Sequence, residues 1–116
     1  MKHSIGIDIP ANTLTEVFTV PNGYVADVEM LFVTNNGTGN ANASVYWQHG
    51  HDSNHKIYIL KEATVSAKAF LQFSNGSVVF KSGDSMQVLT AAGSSFAVIV
   101  TFDLRKEPPL YTFPNE

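Results

Sequence analysis

Short runs in which every second residue is apolar, separated by Gly, Asn and Pro punctuation, fill most of this chain. Ile5, Ile7 and Ile9 alternate with Gly6 and Asp8, a short opening strand that Pro10 ends. Leu14 to Val20 is the second run, and Pro21-Asn22-Gly23 supplies a turn in which Gly23 takes positive φ. In the third, Tyr24, Ala26, Val28, Met30 and Phe32 share one face, predicted to be core, with Asp27 and Glu29 opposite. The Asn35–Asn42 stretch, rich in Asn and Gly, is a loop. Ala43 to His49 and His55 to Lys61 form a hairpin around the Gly50–Asn54 tip, with Val45 and Trp47 on one face. Ala69, Leu71 and Phe73 alternate with Phe70 and Gln72 before the Asn75-Gly76 turn. Val78 to Phe80 leads into Lys81-Ser82-Gly83-Asp84, and Met86 and Val88 follow. Phe96, Val98, Val100, Phe102 and Leu104 line one face of a long last strand; Ala97 and Ile99 suggest that its other face is partly covered.

Eight or nine strands with turn chemistry between them, and no segment of helical period, predict an all-β fold. The expected architecture is a single antiparallel β-sandwich, jelly-roll-like, over residues 1–104; a closed barrel fits the same pattern. Its expected core includes Val28, Met30, Phe32, Trp47, Val88, Val98 and Val100. Residues 105–116 break the alternation. Pro108, Pro109 and Pro114 forbid a central strand, so this stretch reads as an extended C-terminal arm, not a separate domain. Arg105, Lys106, Leu110, Tyr111 and Phe113 are its candidate partner-binding residues, because apolar groups on such an arm favour burial against a neighbour.

Composition narrows the function. With 116 residues, 44% hydrophobic and 15% charged, the chain is one folded domain and not a disordered segment. A net charge of -3, with basic residues scattered apart from Arg105-Lys106, argues against nucleic acid as a partner. No Cys is present, which excludes disulfides and thiolate chemistry. No apolar run suits a bilayer span, and the first residues lack a signal-peptide pattern, so neither membrane nor export is expected.

Candidate chemistry is sparse. His49, His51 and His55 with Asp52 are suitable ligand types for zinc, iron or nickel, and their spacing is similar to the histidine pair of cupins. Where a cupin would offer Glu, however, this chain has His55-Lys56, and no second histidine motif follows. No metal and no cofactor are therefore expected. A nucleophile elbow is absent, and the Gly37–Gly39 loop lacks the Lys and helix of a phosphate cradle. Asn36, Asn42 and Asn75 match the glycosylation pattern, treated as chance in an Asn- and Ser-rich chain. Tyr46 and Trp47 with the 35–42 loop form a candidate glycan platform, against the plainer reading of Trp47 as core.

Two stretches carry a resemblance. One is Phe18-Thr19-Val20-Pro21-Asn22-Gly23-Tyr24-Val25-Ala26 and the apolar strand ending Val33-Thr34-Asn35. The other runs from Tyr58-Ile59-Leu60-Lys61 through Thr64-Val65-Ser66-Ala67 to Lys81-Ser82-Gly83-Asp84-Ser85 and the final strand. This order resembles small β-sandwich virion structural proteins of tailed bacteriophages, the head-decoration or cement, neck and tail proteins, over residues 13 to 104. The resemblance implies a non-enzymatic virion protein, made in the host cytoplasm. It would dock on capsid or neck and tail proteins, as a homo-oligomer.

Overall fold

The computed structural model describes residues 1–50, 55–74 and 78–107. Nine antiparallel strands form two sheets, with no helix among the described residues: β1 (Lys2–Ile9), β2 (Thr15–Thr19), β3 (Tyr24–Asn35), β4 (Ala41–Gln48), β5 (Lys56–Val65), β6 (Phe70–Phe73), β7 (Val78–Phe80), β8 (Ser85–Thr90) and β9 (Phe96–Lys106). One sheet has the order β1-β9-β3, with β6 and β7 sharing the far edge of β3; the other has the order β2-β8-β4-β5. The chain changes sheet at every step except the β4–β5 hairpin and the β6–β7 step, so the two sheets are interleaved in sequence as in a β-sandwich. Gly23 has φ +83° in its turn, as the Pro-Asn-Gly sequence demands.

The core lies between the sheets. Phe96, Val98, Val100 and Phe102 of β9 and Ala26, Val28, Leu31 and Val33 of β3 face Phe18, Val45, Met86 and Val88 of the other sheet. Phe18 joins the layers, with its ring 4.8 Å from that of Phe102 and 5.3 Å from that of Phe80. Val28, Val88, Val98 and Val100 are buried, as their alternation predicts.

Met30 and Phe32 are not core residues. The β3–β9 register pairs Val28 with Phe102 and then Met30 with Thr101, which leaves Glu29 as the extra residue of a β-bulge. Because side chains alternate with period two, one extra residue exchanges the two faces. The inward set changes from Ala26 and Val28 to Leu31, Val33 and Asn35, and Met30 and Phe32 turn outward. Trp47 is also displaced from the centre: it is half-buried at the core rim, its ring 5.7 Å from that of Phe80. At the C-terminus β9 extends through Arg105 and Lys106, paired with Val25 and Tyr24, so these two assigned arm residues are in a strand. Leu110, Tyr111 and Phe113 lie outside the described residues.

Candidate functional site

The outer face of the β1-β9-β3-β6 sheet is divided in two. Across one half runs an apolar stripe. Phe32 stands opposite Ile99 on β9, and its ring lies 5.6 Å from that of Phe70 on β6. Phe70 and Ile99 are 55% and 47% exposed. Gly6 of β1 stands opposite Ile99 and leaves the flank of that side chain uncovered. Met30 and Ala97, half-buried, continue the same surface. The other half is charged. Arg105 Nε donates to Asp27 Oδ2 at 2.9 Å, the ion pair raising the arginine pKa, and Lys2 Nζ lies 3.1 Å from Glu29 Oε1. Exposed pairs like these contribute little stability but keep their half of the face hydrated. The bulge produces the stripe, since without it Phe32 would point inward.

A second organised region joins the β4–β5 hairpin to the β7–β8 turn. Asp84 is 3% exposed, and from the described residues its carboxylate accepts three hydrogen bonds: from Lys81 N (2.9 Å), Gly50 N (2.8 Å) and Trp47 Nε1 (3.0 Å). Gly83, at φ +86°, lets the turn close, and Gly50 packs so tightly that a Cβ there would lie 2.5 Å from the Gly83 carbonyl carbon. The bond from Lys81 N, three residues away, is local to the turn, whereas those from Gly50 and Trp47 tie the turn to the β4–β5 hairpin. Gly83→Val should lower unfolding stability by more than about 1 kcal/mol, because a β-branched residue resists positive φ. Urea denaturation measures this directly, and an unchanged midpoint would refute the strain argument.

The histidines do not assemble as a set within the described residues. His49 stacks on His55 at 4.7 Å and on Trp47 at 4.9 Å, while His51 and Asp52 lie outside those residues. Among the described residues no three His, Asp or Glu side chains group as metal ligands. The glycan platform separates as well. Trp47 turns inward to Asp84, whereas Tyr46 faces outward against Tyr58, ring centroids 4.6 Å apart. The hydrogen bond from Tyr46 to Tyr58, followed by burial, pushes the Tyr46 pKa up to about 12. Lys56 and Lys61 lie 5.9 and 5.2 Å from the rings of Tyr46 and Tyr58. The 35–42 loop is at the opposite end of β4, pinned by the buried Asn35, whose Nδ2 donates to Gly39 O and Val65 O and whose Oδ1 accepts from Gly37 N.

Sequence reasoning passed over the stripe. The available signal was the pairing of Ala97 with Ile99 on the second face of β9, together with Phe70 out of phase with Leu71 and Phe73. No protein-family model matches the sequence, and no curated protein matches it either.

Proposed function

We propose that this protein is a non-enzymatic virion structural protein of the tailed-phage kind, decorating or cementing a capsid, with a neck or tail position as the close variant. The observation that carries the reading is the apolar stripe of Phe70, Phe32 and Ile99 on an outer sheet face whose other half carries ion pairs. Contiguous exposed apolar surface beside a hydrated rim is the usual composition of a protein–protein contact. The two-sheet antiparallel fold agrees with this reading, because double-sheet architectures such as jelly rolls recur in capsid proteins. Many copies on a symmetric particle convert modest individual contacts into avidity. The protein is then made in the host cytoplasm and resides in the virion, without a cofactor.

Ile99→Asp provides the test. The site is on the outer face, so the variant should melt within about 1 kcal/mol of the parent. It should lose co-sedimentation with particles assembled from the structural proteins encoded beside its gene. A variant that decorates normally would refute the stripe as the docking surface. Failure of the unaltered protein to sediment with any such particle would refute the virion assignment.

A further inference from the structure

The four sheet edges are not equivalent. β2 carries a register shift between Glu16 and Phe18. β5 is interrupted by two shifts against β4, with Glu62 at φ +46°. β6 and β7 are four and three residues long. Bulges, twists and short strands of this kind block further pairing. β1 has none of them: its eight residues pair with β9 in unbroken register from Lys2↔Asp103 to Ile9↔Phe96, and its other side has no partner strand among the described residues. Beside it, between β1 and β2, opens an apolar cleft of about 140 Å³ lined by Ile5, Phe18, Val20, Pro21, Phe102 and Leu104. An apolar cavity near that size holds one benzene ring.

We infer that this edge and cleft receive the C-terminal segment of a second copy of the chain, Leu110 to Phe113 adding as a short strand on β1 and an aromatic ring entering the cleft. The inference rests on the docking reading above. Nine residues follow Glu107, enough to span up to about 30 Å when extended. Between Pro109 and Pro114 four residues retain their amide donors, and Tyr111 and Phe113, two apart, project to the same side of a strand. Main-chain bonds to a free edge with alternate side chains in a pocket are the mode of β-augmentation. The segment comes from a second copy because Glu107 N donates to Gly23 O at 2.7 Å, which extends the β9–β3 ladder. The chain therefore leaves as the continuation of β9, past the Lys2↔Asp103 pair that begins β1 and bonded on its β3 side, with β1 itself standing between it and the free edge.

The test uses the full-length protein alone, without any particle, so it is independent of the outer-face docking. A photo-crosslinking benzoylphenylalanine is placed at position 111, and ¹⁴N- and ¹⁵N-labelled copies are mixed before irradiation. The expected cross-links join a labelled to an unlabelled chain at residues 3–5, 18–21 or 102–104. Thr19→Arg at the exposed cleft rim, and independently Tyr111→Ala, should weaken self-association by about tenfold in sedimentation equilibrium. Cross-links confined to one chain, cross-links to another surface, or self-association that neither variant alters would overturn the inference. Should Thr19→Arg lower the melting temperature, Tyr111→Ala, which follows β9 in the sequence, decides the matter.

Discussion

Val100→Asp should abolish cooperative folding. Val100 is fully buried at the middle of β9, in register with Ile5 of β1 and Leu31 of β3. A carboxylate there would face Val45, Val88 and their neighbours, with no donor to replace water. The expected loss exceeds about 5 kcal/mol, comparable to the whole stability of a domain this size. Circular dichroism and a thermal melt read it out, with Ile99→Asp as the control one residue away on the same strand. The two substitutions add the same charge, but only one places it between the sheets. A soluble Val100→Asp protein with a cooperative melt near the parent's would show that the face assignment of β9 is wrong.

The second large effect is expected at Asp84. Asp84→Ala removes one carboxylate and strands three donors, Lys81 N, Gly50 N and Trp47 Nε1, at a corner where Asp84 is buried but Lys81 and Gly50 are exposed. A buried unsatisfied donor costs about 1–3 kcal/mol, and water can reach the Lys81 and Gly50 amides, so a total loss of about 2–3 kcal/mol is expected. Asp84→Asn should recover only part, because its amide nitrogen turns a donor toward one of the N–H groups. Trp47 is the sole tryptophan, so its fluorescence reports this corner specifically. Urea unfolding followed at that fluorophore should show a lower midpoint and, in the folded variant, a red-shifted emission. An Asp84→Ala protein as stable as the parent would mean that the three hydrogen bonds contribute nothing to holding the hairpin tip against the turn.

Local chemistry made the turns readable. Pro21-Asn22-Gly23 and Ser82-Gly83-Asp84 each need a residue at positive φ, and glycine at the right place declares it. The fate of Asp84 was readable in part: an Asx-type bond to a near amide is a local property, whereas the bonds from Gly50 and Trp47 join strands far apart in sequence. The histidine spacing was equally visible, and among the described residues it places His49 against Trp47 and His55.

The amino-acid sequence by itself determined that this chain forms strands, about how many, and where most of them turn, because period-two alternation and glycine, asparagine and proline chemistry are local. It also determined that Ala26 and Val28 belong together on one face. It did not determine which face of the second half of β3 turns inward, because Met30, Leu31, Phe32 and Val33 are apolar on both parities. Only the tertiary structure decided that. The long pairing of β3 with β9 accommodates its residues by bulging at Glu29, and this single insertion buries Leu31 and Val33 and sends Phe32 outward beside Phe70 and Ile99. The edges were settled in the same way, since among the described residues β1 is a regular edge because β9 lies between it and β3. Both features depend on partners distant in sequence, and no local pattern encodes a partner's register.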